Sequence, residues 1–417
     1  MKVLLISNAF PNSAEPVRGI FTYQIVKALQ KMCDVEVVAP LPWVPPFLKK
    51  KSLLRYPHAN VPAKERIGDI KVYHPRYLVI PKIFGFMHAV FMYFPLLKLV
   101  RRLVQNNKVD LINAHWIFPD GVAATWVANK LNKPIILTGL GCDINYYPSL
   151  LFRKQQIKMA LNLANLITVK GNGLKQKILD MGIQEHKVTV IPNGLDLRHF
   201  KIMDKNEARL RLGIKGIGPF LLTVGSLDQV KGNQFLLEAI NQMACHREGL
   251  PHLLLVGEGP LKEDLLFQAQ RYGIADRIKF VGKRPYDEIP LWMNAADVFC
   301  LPSIREGRPN VLLEALACGT PAVGSDVGSV PEIIHDRNGR VAKVADPKSL
   351  RRQLLTCLKQ RWDREAIRKT VGSFTWDDCA ELYIRAYQQA VSESFWPNAR
   401  CQAIDSQSKN GTGMVRV

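Results

Sequence analysis

The stretch VFCLPSIREGRPNVLLEALACGTPAVGSD, residues 298–326, contains one complete unit of the fold. An apolar run at 298–303 predicts a strand, residues 311–317 predict a helix with Pro309 at its first position, and a second apolar run at 321–326 predicts the next strand. A strand followed by a helix and another strand is the βαβ unit, which builds parallel sheets.

The same rhythm continues on both sides of this stretch. Further strands are predicted at 3–7, 35–40, 110–115, 134–139, 166–171 and 188–194, and then at 220–225, 252–259, 278–282 and 339–344. Residues 199–219 interrupt the rhythm because they are polar and glycine-rich, so we place a domain boundary near 200–218. The sequence therefore predicts an α/β protein with two Rossmann-like domains, residues 1–200 and 218–374, whose parallel sheets face a central cleft.

Three segments do not follow this rhythm. Residues 40–82 are rich in proline and basic residues, which predicts a long irregular insertion, and the polar residues 396–417 predict a disordered tail. Residues 83–97 carry no formal charge but are shorter than the ~20 residues that a membrane-spanning helix needs. They predict either a buried or half-buried pair of helices or a surface helix that dips into lipid.

Charge and cysteine usage restrict the possible partners. The 417 residues carry a formal net charge of +21, and residues 1–200 contain 27 Lys and Arg against 11 Asp and Glu. A basic half predicts an anionic partner, either a phosphate-bearing ligand or an anionic membrane; no nucleic-acid-binding module is recognisable, so nucleic acid is not expected. Eight cysteines without CxxC pairs, and an N-terminus without a secretory signal pattern, predict a reduced cytoplasmic protein.

Two glutamates in the opening stretch are candidate ligand-binding residues. Glu306 lies in the predicted loop and Glu314 lies about one turn into the helix. The free backbone amides of residues 310–313 would form a phosphate site at the helix start. Beside that phosphate, Glu314 would accept two hydrogen bonds from a ribose diol, and Glu306 would face sugar hydroxyls. The alternative is an exposed loop acid and an ordinary glutamate on a helix surface.

Two glycine-containing loops of the second half add weaker signals. The run VGSLDQVKG, residues 224–232, places Lys231 in a loop after a strand, which predicts a phosphate contact or else a solvated turn lysine. In LLLVGEGPLKEDL, residues 253–265, Gly257 and Gly259 allow close approach of a flat ligand, although the same pattern marks tight turns.

The first half carries candidates at the predicted carboxyl ends of strands. Gly19 opens the first helix beside Arg18, where a Rossmann-type fold binds phosphate, but GxGxxG is absent and a dinucleotide enzyme is not expected. His115 follows one strand and Asp143 lies in a glycine-rich loop after the next; a lone histidine at such a position is more often structural. No HExxH, GxSxG, P-loop or paired CxxC is present, and no metal site is predicted.

Eight segments, taken in chain order, are GIFTYQ, INAHWIFPDG, TGLGCDIN, VIPNGLD, VGSLDQVKG, LLLVGEGP, EGRPNVLLEALACGTPAVGSDVGSVPEII and DRNGRVAKVAD. Together these segments resemble family 4 of the retaining nucleotide-sugar glycosyltransferases, which have the GT-B fold. They span most of residues 1–390. The N-terminal half looks like the branch that builds bacterial surface polysaccharides on lipid carriers.

The resemblance implies a role for each matching residue. Glu314 would bind the ribose, Glu306 the transferred sugar, and Lys231 the departing diphosphate. Gly19 would let its loop approach that diphosphate, His115 would contact the sugar or the reacting face, and Asp143 would help to hold the acceptor. Further donor contacts are implied for Ser226, Gly257, Arg305, Gly307, Asn310, Val311 and Leu312.

The resemblance also implies a reaction. A sugar would move with retention from a UDP- or GDP-sugar to a lipid-linked saccharide, without a metal or other cofactor, on a protein held peripherally at the inner face of the plasma membrane. The last helix, residues 375–395, would return to the first domain.

One position departs from the family pattern, because many relatives have arginine where this chain has Ser226. Arg305, Arg308 or Arg18 would have to supply the missing charge; otherwise turnover would be slow. Two alternatives to a transferase are a nucleotide-sugar epimerase of similar fold and a scaffold that binds a nucleotide sugar without turnover.

Overall fold

A computed structural model describes residues 1–44, 57–79, 84–150, 152–216, 218–245 and 250–395. The chain divides into two compact units, one formed by Met1–Ile191 together with the chain from Ala380 onward, and the other by Pro192–Cys379. Both units are α/β, as the sequence predicts. The predicted tail, residues 396–417, lies outside the described residues.

The first unit is built on an eight-stranded sheet in the order β10-β9-β8-β7-β1-β2-β5-β4, with a separate parallel pair, β3 and β6. Its strands are β1 (Lys2–Ile6), β2 (Asp34–Val38), β3 (Leu41–Pro42), β4 (Lys64–Ile67), β5 (Ile70–Tyr73), β6 (Arg76–Tyr77), β7 (Leu111–His115), β8 (Ile135–Gly139), β9 (Leu166–Val169) and β10 (Val188–Val190). Its helices are α1 (Ile20–Leu29), α2 (His88–Asn107), α3 (Val122–Lys130), α4 (Cys142–Asn145), α5 (Arg153–Leu163) and α6 (Asn172–Asp180), joined by most of the last helix, Trp376–Phe395.

The order in which the chain adds strands to the sheet reverses between β1 and β7. From β1 the chain passes to β2 on one side, and after α2 it returns to β7 on the other side of β1. The central strands are buried along their whole length, which explains their continuous apolar runs. In open parallel sheets, ligands bind beyond the carboxyl ends of the strands at such a switch point.

Two predictions for the first half were wrong in detail. Within residues 40–82, β4 and β5 form an antiparallel hairpin that continues the sheet through β2, so this region is not irregular throughout. The apolar segment forms one long helix, α2, after a short 3₁₀ turn, rather than a pair of helices. Its buried residues recur every three or four positions, as on one face of a helix: Ala89, Met92, Leu96, Val100 and Leu103. Among the described residues, no helix is both long and apolar enough to cross a membrane.

The described part of the second unit contains a fully parallel six-stranded sheet in the order β13-β12-β11-β14-β15-β16. Its strands are β11 (Phe220–Val224), β12 (His252–Val256), β13 (Ile278–Gly282), β14 (Val298–Leu301), β15 (Ala322–Ser325) and β16 (Gly339–Ala342). Its helices are α7 (Lys205–Arg211), α8 (Asn233–Cys245), α9 (Lys262–Arg271), α10 (Ile289–Ala295), α11 (Asn310–Ala317), α12 (Val330–Ile333), α13 (Pro347–Lys359) and α14 (Arg364–Lys369); α15 (Trp376–Phe395) is the last helix of the chain.

The polar segment 199–219 lies within the second unit. Two of its basic side chains bind Asp297, which precedes β14: Lys205 Nζ lies 2.5 Å and Arg209 Nη2 lies 2.6 Å from the carboxylate. The same carboxylate accepts the Phe220 amide at the start of β11. The charges of this segment therefore fasten α7 to the sheet.

Candidate functional site

Lys231 is positioned by a capped turn after β11. The carboxylate of Asp228 accepts the Lys231 amide at 3.2 Å and so caps the 3₁₀ turn Gln229–Lys231. Gly232 ends the turn with φ +67°, and a Cβ atom there would lie 2.0 Å from the carbonyl oxygen of Pro302. Glycine is required at this position because the turn packs directly on the chain that follows β14.

This packing brings Lys231 and Glu306 together. Lys231 Nζ donates to Glu306 Oε1 at 2.7 Å, and the hydroxyl of Ser303 donates to the same oxygen at 2.7 Å. The side chains of Lys231 and Glu306 are 25% and 11% exposed, so the pair is largely shielded but reachable. A cation and an acid side by side at the carboxyl ends of β11 and β14 can bind a ligand that carries both phosphate and hydroxyl groups.

Ser226 supports this arrangement without adding charge. Its hydroxyl donates to Asp228 Oδ2 at 2.6 Å and thereby strengthens the cap that positions Lys231. Among the residues predicted to replace the missing cation, Arg308 has a buried Nε with no hydrogen-bond partner in the described part of the chain. Burial lowers the pKa of Arg308, and nearby Glu332 opposes this effect.

Gly257 brings three strand ends together. It has φ +150°, and a Cβ atom there would lie 1.8 Å from the carbonyl oxygen of Gly225, after β11. Its amide donates to the carbonyl oxygen of Gly282 at 3.0 Å, at the end of β13. The glycine is therefore explained by backbone packing alone, and its contact with a ligand remains a prediction.

The helix after Glu306 begins one residue later than predicted. Pro309 is the capping residue, with ψ 109°, and Asn310 is the first residue of α11. The side-chain oxygen of Asn310 accepts from Asn193 Nδ2 at 3.1 Å. The amide of Leu312 already donates to the carbonyl oxygen of Pro309 at 3.2 Å, so this amide is not one of the free donors that the sequence predicted.

The remaining residues of this loop and helix differ in accessibility. Leu312 is fully buried in the core, whereas Val311, Arg305 and Gly307 are partly exposed. The carbonyl oxygen of Gly307 accepts the Ser329 amide at 2.9 Å, which ties the loop to the start of α12. Because the side chain of Leu312 is buried, only its main-chain atoms could contact a ligand.

Glu314 is not an ordinary surface glutamate, because it is only 4% exposed. Burial raises the pKa of its carboxyl to about 8, and a hydrogen bond from Tyr286 opposes this shift. Tyr286 Oη donates to Glu314 Oε1 at 3.2 Å. A buried carboxyl with a perturbed pKa, here in the helix that follows a strand of a parallel sheet, is a typical feature of a binding site.

In the first unit, Gly19 caps α1 with φ +61°. A Cβ atom on Gly19 would lie 2.0 Å from the carbonyl oxygen of Ala9, in the loop after β1. Close packing of helix on loop therefore requires glycine at this position. Arg18, beside it, donates to the carbonyl oxygen of Asn8 at 3.1 Å and pairs with Glu15 at 3.1 Å.

His115 ends β7 and is 1% exposed. Its Nε2 lies 3.1 Å from Asn113 Oδ1, whose amide nitrogen donates to Thr138; the histidine therefore carries its proton on Nε2. The ring of Tyr383, from α15, stacks on His115 at 5.8 Å. Burial, with a smaller contribution from Lys170, holds the pKa of His115 well below its usual value, so the imidazole is neutral at physiological pH.

Asp143 is fully buried and binds backbone amides. Its carboxylate accepts from Gly141 at 2.7 Å, Ile117 at 2.9 Å and Leu140 at 3.1 Å. Burial raises the pKa of Asp143, and these amides oppose the shift. This geometry joins the loops after β7 and β8; contact between Asp143 and an acceptor remains a prediction.

Sequence reasoning missed Asp120, which connects the loops at the switch point. Asp120 Oδ1 accepts the Asn8 amide at 2.6 Å, and its Oδ2 has no hydrogen-bond partner among the described residues. Burial raises the pKa of Asp120 to about 7, although the hydrogen bond from the Asn8 amide acts to lower it. The run INAHWIFPDG contained the signal, as a lone acid in an otherwise apolar segment.

Lys170, a buried lysine after β9, was also missed. Its Nζ donates to the hydroxyl of Tyr383 at 3.0 Å, while the hydroxyl of Tyr387 donates to Asn113 at 2.8 Å. These two bonds fix α15 to the sheet of the first unit beside His115. A lysine in the apolar run LITVKG was the available signal.

Two family models match the chain in sequence. A model described as Glycosyltransferase Family 4 matches residues 19–199, and a model described as Glycosyl transferases group 1 matches residues 218–360.

Two named relatives and one solved structure are similar to the chain. The putative teichuronic acid biosynthesis glycosyltransferase TuaC of Bacillus subtilis (strain 168) is 30% identical over 380 residues, which are 88% of this chain and 91% of that protein. The N-acetyl-alpha-D-glucosaminyl L-malate synthase of Bacillus anthracis is 26% identical over 279 residues, 65% of this chain and 72% of that protein. The crystal structure of Anabaena Alr3699/HepE in complex with UDP has a TM-score of 0.70 and 20% identity, over 93% of this chain and 100% of that one.

The likeness to the Anabaena protein, which was also crystallised in complex with UDP-glucose, shows the fold. The predicted fold class, GT-B with two Rossmann-like domains, is confirmed.

Proposed function

The chain belongs to the glycosyltransferases of family 4 and group 1, and on this premise we propose that it moves a sugar, with retention, from a nucleoside diphosphate to a lipid-linked saccharide. The observation that carries the proposal is the ion pair of Lys231 and Glu306, followed along the chain by the helix that holds the buried Glu314. A cation paired with an acid, together with a buried carboxyl that suits a ribose diol, provides one group for each part of a nucleotide sugar.

A uridine or guanosine diphosphate is the proposed carrier of the sugar. The Anabaena protein of the same fold binds UDP and UDP-glucose in its crystals, which supports a nucleotide-sugar donor here. Glu314 would accept the ribose hydroxyls, and the first amides of α11, which no described side chain caps, would face phosphate oxygens.

The proposed mechanism rests on stabilisation of the leaving diphosphate. As the bond between the anomeric carbon and the phosphate oxygen breaks, negative charge grows on that oxygen, and the ammonium of Lys231 would stabilise it. The acceptor oxygen forms the new bond on the same face, and its proton passes to the leaving phosphate. Glu306 would orient the sugar hydroxyls. In the first unit, the Nε2 proton of the neutral His115 already faces Asn113, so His115 would contribute a hydrogen-bond acceptor, its Nδ1, rather than a charge. Independence from metal ions is part of this proposal.

A lipid-linked acceptor would require the protein to dock on an anionic membrane surface. On α2, Phe94, Lys98 and Arg101 are exposed at positions that share one face of the helix, and the Phe94 side chain is 64% exposed. Basic residues near an anionic surface contribute about 1 kcal/mol each. The basic residues 49–51 and Arg55, which lie in the basic segment 40–82 and would add to such docking, are outside the described residues. We place the protein at the inner face of the plasma membrane.

Vesicle sedimentation tests the docking surface. Binding to phosphatidylglycerol vesicles that is lost in high salt supports electrostatic docking. Salt-insensitive binding would instead indicate apolar insertion, and no binding to anionic vesicles would remove the membrane from the proposal.

A panel of nucleotide sugars tests the transferase itself. Thermal shift and donor hydrolysis are measured for UDP-, GDP- and ADP-sugars, with and without EDTA. One donor should raise the melting temperature and be consumed slowly without acceptor, and EDTA should change neither result. No shift for any donor would contradict the proposal.

Ser226 favours one second candidate, a scaffold that binds a nucleotide sugar without turnover. The hydroxyl of Ser226 serves Asp228 and supplies no charge for a leaving diphosphate. A donor that binds tightly but is neither hydrolysed nor transferred would support the scaffold.

A further inference from the structure

Glu314 shares one of its oxygens with a tyrosine from another element. Tyr286 begins the 3₁₀ turn Tyr286–Glu288 that leads into α10, and its hydroxyl donates to Glu314 Oε1 at 3.2 Å. The carboxyl and the hydroxyl lie 28 positions apart in the sequence. Packing in the core does not by itself explain these two residues, because the hydroxyl of Tyr286 and the carboxyl of Glu314 point toward each other.

The tyrosine ring is held in place by two aromatic neighbours. The ring of His199 stacks on it with centroids 5.3 Å apart and an interplanar angle of 22°. Phe200, which is fully buried, packs edge-on at 5.5 Å. His199 Nε2 also lies 3.3 Å from the main-chain oxygen of Tyr286. Because the ring cannot turn without losing these contacts, the position of its hydroxyl is fixed.

A fixed donor orients a carboxylate. Each carboxylate oxygen can accept about two hydrogen bonds, so the Tyr286 hydroxyl holds Oε1 and leaves Oε2 available for the two hydroxyls of a ribose. The same bond opposes the effect of burial, which favours the neutral form of Glu314. A protonated carboxyl would present a donor on one oxygen and would suit a diol less well.

We propose that Tyr286 is a positioning residue that orients the Glu314 carboxylate toward ribose and thereby sets a preference for ribonucleotide over 2′-deoxyribonucleotide donors. This inference rests on the proposed function, because it requires a nucleoside diphosphate bound to the second unit. Tyr286 acts through Glu314 and makes no contact with the reacting atoms.

Calorimetric titration of UDP, GDP and ADP, each beside its 2′-deoxy counterpart, tests the inference at about pH 9, where Glu314, with its pKa of about 8, is ionised. For the base that binds best, the wild type should prefer the ribonucleotide by roughly 10-fold to 100-fold, the equivalent of one hydrogen bond to a charged group. Tyr286→Phe keeps the ring and its stacking but removes the hydroxyl. This substitution should reduce the preference several-fold, mainly because the ribonucleotide binds more weakly.

Two controls separate positioning from packing. Tyr272→Phe removes a hydroxyl that contacts Gln268 elsewhere in the same unit and should leave the preference unchanged. In a Glu314→Gln background, Tyr286→Phe should cause no further loss of preference, because the group that it orients is already altered.

The outcomes distinguish the inference from its premise. If Tyr286→Phe weakens the binding of ribonucleotides and 2′-deoxyribonucleotides equally, the ratio of their dissociation constants stays at the wild-type value. The inference is then overturned, while nucleotide binding to the protein stands. If none of the nucleotides binds the wild type, the proposed function fails and the inference falls with it.

Discussion

The ammonium of Lys231 lies 2.7 Å from the carboxylate of Glu306, although 75 positions separate the two residues in the chain. The pair forms because β11 and β14 are neighbours in the sheet, so the loops that follow them meet. In the structure the two charges form an ion pair. A diphosphate would compete for the ammonium and leave Glu306 to the sugar hydroxyls.

Replacement of Lys231 by alanine should therefore slow the chemical step. We expect kcat to fall by roughly 10²–10³-fold, with a smaller change in the KM for the donor, because the charge matters most as the diphosphate departs. Steady-state kinetics with the donor found in the panel measures both constants. Lys262→Ala, which removes a partly exposed lysine paired with Glu258 at 3.4 Å, is the matched control and should leave kcat unchanged. An unchanged kcat in Lys231→Ala would remove this residue from the mechanism.

Ser226→Arg should restore the second cation that the resemblance implies. Because Ser226 is exposed, the larger side chain can be accommodated, and we expect faster turnover or a lower KM for the donor. Ser226→Ala, which only breaks the bond to Asp228, should reduce kcat slightly. Turnover in the arginine variant that equals or falls below that of the wild type would mean that this chain does not lack a charge there.

Glu314 should reduce stability as pH rises. Its folded-state pKa of about 8 lies above its ordinary value of 4.5, so between these values the folded state retains a proton that the unfolded state releases. Stability is therefore lost across this window and is constant above it. The melting temperature of Glu314→Gln, compared with that of the wild type, should rise from about pH 5 to about pH 8. A difference that is independent of pH would show that burial does not perturb this carboxyl.

Gly19 and Gly173 form a matched pair of glycine positions. Gly19→Ala should destabilise the protein by at least about 2 kcal/mol, because it adds a left-handed alanine and a clash with Ala9. Gly173→Ala, in α6 with no atom within 4 Å of the new Cβ, should stabilise it by about 0.5–1 kcal/mol. Thermal unfolding measures both. If Gly19→Ala leaves the melting temperature unchanged and weakens only donor binding, Gly19 would instead act in ligand binding.

Asp143→Asn should be destabilising by about 1–3 kcal/mol, because an amide nitrogen would face backbone donors that now bind a carboxylate. Activity should fall with the folded fraction, and the KM for the acceptor should not change separately. A stable variant with a raised acceptor KM would instead support the acceptor contact that the sequence predicts for Asp143.

Burial on both faces made the central strands of both sheets predictable. β11 and β12 read as largely apolar runs that end at glycine, and all six strands of the second sheet lie where the sequence places them. The hairpin of β4 and β5 was missed because its short strands alternate exposed and buried residues and carry charges.

The candidate site was predictable where it lies within one βα unit, and less so where it depends on the sheet. Glu306 and Glu314 share one strand–loop–helix segment, so their spacing alone indicated a site. The contact with Lys231 and the hydrogen bond from Tyr286 depend on which elements become neighbours, which chain order does not reveal. For Gly257, the sequence indicated close approach, and the structure shows that the approaching group is Gly225.

A crystal structure of the chain with the nucleoside diphosphate that gives the largest thermal shift would show directly where the nucleotide binds. We expect the ribose hydroxyls to lie within hydrogen-bond distance of Glu314, and the diphosphate to contact Lys231 and the first amides of α11. A nucleotide bound in the first unit, beside Gly19 and Arg18 and away from Glu314, would contradict this expectation.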